Sequence, residues 1–296
     1  VRILVLGGAG MLGHKLCQVL SRDFETTTTV RSSRHGHSVP QYILGPAQVI
    51  DGVDACRIET VANAIQRAKP HAVINCIGII KQIEAARDPV TSISINSLFP
   101  HKLHQLCAMH GARLIHMSTD CVFSGSTGLY TEDDNPDPTD LYGRSKLLGE
   151  LQGDNCLTIR TSIIGRELDG AHGLVEWFLS QSGPTVPGFT NAIFSGLPTV
   201  VLANIIAHLI RDFPELHGLY HVSASPISKF DLLRLLAKAF DKDLTVEPFA
   251  GVRIDRSLNS DRFRKLTGYC PEPWPQLVAQ VTGDPTPYGD WRPKHV

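Results

Sequence analysis

The chain lacks any run of some 20 apolar residues, the length that a membrane-crossing helix requires. Its most apolar later stretch, 197–210, is short and carries Asn204 and His208. No signal-peptide pattern is read either, so a cytoplasmic protein with no membrane partner is expected. It also lacks a Cys-x-x-Cys pair: its seven cysteines are scattered at positions 17, 56, 76, 107, 121, 156 and 270. An odd, unpatterned set reads as reduced thiols and not as a disulfide framework. An excess of one charge is missing too. The formal net charge of −1 over 296 residues gives no electrostatic footprint for nucleic acid. There are no internal repeats and no low-complexity tract. What remains, 42% hydrophobic and 19% charged residues, is the composition of a globular protein with one large domain or one with a smaller lobe.

Residues 1–7 form a short apolar run, broken only by Arg2, that ends in glycines and so reads as a buried strand entering a turn. Apolar residues then return at helical spacing over 11–20. The alternation recurs, with strands predicted at 26–30, 49–53, 72–76, 113–117 and 157–164. Helical patterns lie between them at 60–68, 98–110 and 143–151. This rhythm predicts an α/β fold with a doubly wound parallel sheet of the Rossmann type. After about residue 165 a Gly- and Pro-rich stretch interrupts it. Residues 1–168, with 195–225 returning to them, are therefore read as one domain, and 169–194 with 226–296 as a smaller C-terminal lobe. A buried helix is expected at 197–210 with Thr199 as its N-cap, a strand at 218–222 and an amphipathic helix at 228–240. The Pro/Trp-rich tail from Tyr269 reads as loop and not core.

Four motifs carry chemistry. Gly7-Gly8-Ala9-Gly10-Met11-Leu12-Gly13 sits at the first strand-to-helix turn, where a Cβ would block either the turn or the approach of a pyrophosphate to the helix N-terminus. Without a ligand the same pattern is simply a tight turn. At the end of the second strand a carboxylate would bind the ribose 2′-hydroxyl of NAD; here stand Arg31, Ser32, Ser33 and Arg34, which suit a 2′-phosphate. NADP(H) is therefore favoured, with NAD(H) possible, and the plainer reading is a set of solvated loop charges. Tyr142 and Lys146 lie one helical turn apart. A nearby ammonium is expected to lower the phenol pKa towards the working range of an acid or base. Finally, His116-Met117-Ser118-Thr119-Asp120 ends the fifth strand, placing hydroxyls in the crevice where open α/β sheets bind ligands.

With these motifs the chain resembles the extended short-chain dehydrogenase/reductase family, and within it the dTDP-4-dehydrorhamnose reductase group of nucleotide-sugar 4-keto reductases. The specific segments are 118–125 (STDCVFSG), 130–134 (YTEDD) and 142–150 (YGRSKLLGE). The resemblance implies a catalytic set of Thr119, Tyr142 and Lys146. Tyr142 would be the general acid, Lys146 would hold the nicotinamide ribose and Thr119 would bind the reacting oxygen. It implies cofactor contacts from Gly7, Gly10, Met11, Leu12, Gly13, Arg31, Ser32, Arg34, Asp54, Cys76, Ile77, Gly78 and Asn96, together with Tyr142 and Lys146. Asn96 also reads as a helix cap and Asp54 as a turn carboxylate. Substrate contacts fall to Thr119, Asp120, Val122, Phe123, Tyr142 and Arg256. The implied partner is a nucleotide-sugar substrate, and the resemblance allows a homodimer.

Three departures narrow the reading. Cys121 stands where the sugar-nucleotide dehydratases of the superfamily carry a glutamate, which argues against elimination. Ile164 replaces an aromatic beside Gly165, and Arg256-Ser257 replaces Arg-Pro. Other readings are set aside: His101, His104, His110 and His116 lack the glutamate of a His-Glu-x-x-His site, so no metal is expected. Cys121 reads as a packed thiol, and Asp133, Asp134, Asp137 and Asp140 as a solvated acidic loop. The competing functions are a nucleotide-sugar epimerase and a non-catalytic NADP-binding regulatory subunit.

Overall fold

The computed structural model describes residues 1–31, 39–80 and 87–291. In chain order the first elements are β1 (Arg2–Leu6), α1 (Gly13–Leu20), β2 (Glu25–Thr29), α2 (Gln41–Leu44), β3 (Gln48–Ile50), α3 (Ile58–Ala68) and β4 (Ala72–Asn75). Then come α4 (Pro89–Ser92), a π-helical segment (Ile93–Leu98), α5 (Phe99–Met109), β5 (Arg113–Thr119), a 3₁₀ turn (Asp120–Val122), α6 (Leu141–Leu148) and β6 (Cys156–Thr161). The remainder is β7 (Ile163–Ile164), α7 (Leu174–Ser180), β8 (Thr185–Phe194), β9 (Leu197–Pro198), α8 (Thr199–Asp212), β10 (Gly218–His221), β11 (Ile227–Ser228), α9 (Lys229–Ala239), β12 (Thr245–Asp255), α10 (Asp261–Thr267), α11 (Trp274–Thr282) and α12 (Tyr288–Trp291).

The main sheet has seven strands in the order β10-β6-β5-β4-β1-β2-β3, all parallel. Read backwards from β3, this is the 3-2-1-4-5-6 order of a Rossmann sheet with β10 added at the edge. Strand alternation explains how both faces are covered. Ile3 and Val5 of β1 enter a core cluster with Leu16 of α1 and Leu202 and Ile206 of α8. Leu4 and Leu6 point the other way, into a cluster with Ile65 of α3 and Leu103 of α5. Burying each such side chain stabilises by roughly 1.5–3 kcal/mol. β2 is almost all threonine, whose branched side chains suit a pleated surface; Thr28 Oγ1 donates to the Val5 carbonyl at 3.0 Å.

Several boundaries differ from the sequence reading for local reasons. The strand expected at 49–53 stops at Ile50, because Gly52 turns the chain at φ +75°. The strand expected at 157–164 divides at Ser162, whose carbonyl accepts from Leu197 N, so that β7 leaves the main sheet to pair with β9. Thr199 is the first residue of α8; the N-cap position belongs to Pro198, with no side-chain cap. The Gly/Pro-rich stretch contains α7 and β8, and β8 pairs with β12 in parallel and β11 antiparallel to form a three-stranded sheet. The tail is not loop: α11 buries Trp274, Leu277, Val278 and Val281 in the same cluster as Ile3 and Leu16.

Candidate active site

The strand order reverses between β1 and β4, the place where such sheets bind ligands. There the glycine-rich turn meets the segment after β4. Gly7, at φ +89°, faces Cys76 and Ile77 so closely that a Cβ would stand 3.2 Å from Ile77 Cγ1. A Cβ on Gly13 would lie 2.0 Å from the Gly7 carbonyl oxygen and one on Gly8 2.2 Å from Thr28 Oγ1. The turn is thus drawn tight by Gly10 N donating to Gly7 O at 3.0 Å, and α1 begins with no side-chain cap and no acidic residue in its first turn. Amides at such a helix start favour a phosphate, so these residues fit a pyrophosphate cradle. Met11 is part-exposed, whereas the Leu12 side chain is buried in the core.

Arg31 is exposed directly after β2, and Ser32 and Arg34 lie outside the described residues. Asp54 follows the neighbouring strand end, where Val53 N donates to Val30 O at 3.2 Å. Asp54 Oδ1 accepts from Cys56 N at 2.9 Å, and its amide donates to Thr60 Oγ1, which makes it a turn carboxylate. Asn96 lies in the π-helical segment, a type of irregularity frequent at functional sites. Its Oδ1 accepts from Ile79 N at 2.8 Å, and its Nδ2 donates to Ile79 O and to Ser145 Oγ. Asn96 therefore ties the 76–79 segment to α6, with Gly78 against its amide oxygen.

α6 carries Tyr142 and Lys146, and two glycines set its position. A Cβ on Gly143 would lie 2.2 Å from the Cys121 carbonyl and one on Gly149 1.9 Å from the Asn96 carbonyl. The helix is started by Asp140, which accepts from Gly143 N at 2.7 Å. Thr119, at the C-terminal end of β5, accepts from Cys121 N and donates to Asp120 Oδ1, both at 3.1 Å. Its hydroxyl is also near enough to Tyr142 to pull the phenol pKa down. That pull is outweighed: burial, reinforced by Cys121 and Asp120, holds Tyr142 above its ordinary value. Lys146 Nζ donates to the Met117 carbonyl at 2.7 Å, and burial lowers its pKa to about 8 against the favourable pull of Glu150 and Cys76. The expected lowering of the phenol by Lys146 is thus not found. The ammonium is committed to a carbonyl, and desolvation dominates at the tyrosine.

The substrate-side residues divide. Arg256 Nε donates to the Phe123 carbonyl at 2.8 Å, and its Nη1 lies 3.7 Å from Cys121 Sγ, over the same turn as Thr119 and Asp120. Val122 and Phe123 are both 0% exposed. Phe123 stacks on Tyr130 at 4.2 Å with Arg160 over its ring at 5.2 Å. Their side chains are core, and only their main chain is available to a ligand. Next to this turn a cleft of about 350 Å³ is lined by Gly125, Ser126, Thr127, Asn191, Arg253 and Asp255, among others.

Sequence reasoning missed the buried support. Glu150 accepts a bidentate pair from Arg160 (Nε and Nη2, both 2.8 Å) and a third bond from Ser118 Oγ at 2.6 Å, joining β5, the end of α6 and β6. His221, lowered to about 4 by burial and then by Arg160, reaches the Tyr130 carbonyl, and its amide donates to Glu132 Oε1. The acidic loop is not merely solvated. Asp134 and Asp137 take backbone amides of Thr131 and Ser124, and Asp133 pairs with Arg262 at 2.6 Å. An aspartate just before an apolar helix was the available signal for Asp140.

A parallel sheet in this order, a glycine cradle at its switch point and a Tyr-x-x-x-Lys helix against the end of β5 define an extended short-chain dehydrogenase/reductase. Residues 1–261 match the RmlD substrate binding domain family, and the chain belongs to it. A dTDP-4-dehydrorhamnose reductase of Mycolicibacterium smegmatis is 27% identical over 98% of this chain and 83% of that protein. The methionine adenosyltransferase 2 subunit beta of Xenopus tropicalis is 26% identical over 93% of this chain and 80% of its own length. The structure of a Bacillus anthracis dTDP-4-dehydrorhamnose reductase in complex with NADP shares the fold, with a TM-score of 0.73 at 22% identity over 95% of this chain and 98% of that one.

Proposed function

We propose that the chain is an NADPH-dependent reductase of nucleotide-diphosphate 4-keto-6-deoxy sugars, serving deoxysugar and polysaccharide biosynthesis. The observation that carries this reading is the meeting of Thr119, Tyr142 and Lys146 at the C-terminal end of β5, on the edge of the sheet that carries the glycine cradle. The bound dihydronicotinamide supplies a hydride. Tyr142 Oη gives its proton to the keto oxygen, and its raised pKa keeps that proton in place until then. The Thr119 hydroxyl, turning its one proton from Asp120 Oδ1, donates to the same oxygen and orients it. Lys146 holds the nicotinamide ribose and stabilises the phenolate left behind. Residues 1–168 with 195–225 would hold the dinucleotide, and 169–194 with 226–296 the sugar nucleotide. The cleft lined by Arg253 and Asp255 offers it room. Arg31, an exposed cation after β2, and the NADP-bound relative support NADP(H).

The direct test is Tyr142→Phe. Removing a proton donor that acts in the transition state is expected to lower kcat roughly 10²- to 10⁴-fold with NADPH binding retained; unchanged turnover would contradict the assignment. A second reading, a non-catalytic NADP-binding regulatory subunit, is favoured by the similarity to a relative named as an enzyme's beta subunit. It predicts tight NADPH binding, no turnover of any keto sugar and a partner enzyme retained through purification.

A further inference from the structure

The segment after α11 packs against the glycine cradle, through buried groups that the chemistry above does not use. His14, in the first turn of α1, is 0% exposed, and Tyr288 is 3% exposed. His14 Nδ1 lies 2.8 Å from the Gly10 carbonyl oxygen and its Nε2 2.8 Å from Tyr288 Oη. Tyr288 Oη donates to Asp284 Oδ2 at 2.6 Å. Asp284 Oδ1 accepts from Lys15 Nζ, which also donates to Gln18 Oε1 and Thr286 Oγ1. A line of contacts thus runs from a tail carboxylate to the cradle itself.

The proton count fixes the imidazole. A carbonyl oxygen only accepts, so the proton of His14 sits on Nδ1. Burial, aided by Lys15 and opposed by the Gly10 carbonyl and Asp284, lowers His14 to about 4, so a single proton is present at neutral pH. Nε2 then offers a lone pair to Tyr288 Oη, whose one proton serves either that lone pair or Asp284 Oδ2 at a time. The orientation matters because a peptide unit is planar: holding the Gly10 C=O in one direction points the Met11 N–H in the opposite one. That amide lies at the entry to α1, among those suited to a pyrophosphate.

Tyr288 also touches what holds the cradle from the other side. Its ring lies under the Arg166 guanidinium at 4.7 Å, and Arg166 pairs with Glu176 of α7 at 2.5 Å. In the same loop Gly173 N donates to Glu167 Oε2 at 2.7 Å. Gly173 packs so near the cradle that a Cβ there would stand 2.6 Å from Met11 Cε.

We propose that Tyr288, acting through His14, is a positioning residue for the glycine cradle, so that dinucleotide affinity is set in part from the C-terminal tail, 274 positions along the chain. This rests on the dinucleotide reading above. The test is the dissociation constant of NADPH, read from nicotinamide fluorescence on the full chain, beside the steady-state constants. Tyr288→Phe keeps the ring and removes Oη. It is expected to raise Kd and KM for NADPH about three- to tenfold, the range of one lost hydrogen bond, with kcat at saturating cofactor within about twofold. His14→Asn keeps an N–H close to where Nδ1 stands and is expected to retain more affinity than His14→Leu. Unchanged NADPH affinity in Tyr288→Phe, or equal losses in the two His14 variants, would overturn the proposal. Failure of the unsubstituted chain to bind any dinucleotide would overturn the dinucleotide reading and this inference together.

Discussion

Lys146 shows at the scale of one residue how this site trades stability for chemistry. It is 6% exposed, and among the described residues its ammonium donates to the Met117 carbonyl, so its charge is held against desolvation that lowers the pKa from 10.5 to about 8. The sign follows from proton counting. Between about pH 8 and 10.5 the unfolded chain keeps this proton and the folded one has released it, so this site's contribution to stability rises with pH across that window. Lys146→Met removes the buried charge while filling similar space. It is expected to lower turnover at least about a hundredfold, as for loss of an acid–base partner, with Tm equal to or above that of the unsubstituted protein. A Tm several degrees lower, measured by calorimetry at neutral pH, would contradict this account of the lysine. Tyr142 sits beside it with the opposite shift, since burial disfavours the charged form of each group.

At the scale of elements, α6 is placed by the absence of side chains. Gly143 lets the helix lie on the 3₁₀ turn that carries Cys121, and a methyl group there would overlap a backbone carbonyl that cannot rotate away. Gly143→Ala is therefore expected to separate Tyr142 from Thr119. Turnover should fall at least about tenfold, because small misplacements at a reacting centre are costly, and Tm should fall as well. An active and stable Gly143→Ala protein would show that the close approach is dispensable. The elements most legible in the sequence were those with strong periodicity and punctuation: β1 and its glycines, α3, α8 and α9. The placement of Thr119 at a strand end and of Tyr142 and Lys146 on one helix was legible because these segments occur in a recognisable order. The long-range partners were not. Nothing near Glu150 announces that Arg160 and Ser118 will close on it, and nothing in the tail announces that Trp274 will pack against Phe194. The burial of the Val122 and Phe123 side chains was not legible, because an apolar pair next to a threonine at a strand end looks the same in sequence whether it lines a site or fills the core behind it.

On the scale of the whole molecule, the sheet order brings β1, β4 and β5 side by side, so one edge presents the glycine cradle, the 76–79 segment and Thr119 together. The helices and the three-stranded sheet contributed by later residues pack into the same core cluster as β1 and α1, which places Arg256 over the turn after β5 and Tyr288 against the cradle. Hydride and proton delivery to a keto sugar at that edge is the central claim. The measurement that tests it most directly is the loss of reduced-nicotinamide absorbance when the purified chain meets NADPH and a panel of enzymatically generated 4-keto nucleotide sugars. The account predicts oxidation of NADPH by at least one of them, and its loss in Tyr142→Phe. Tight NADPH binding with no oxidation by any sugar would contradict it.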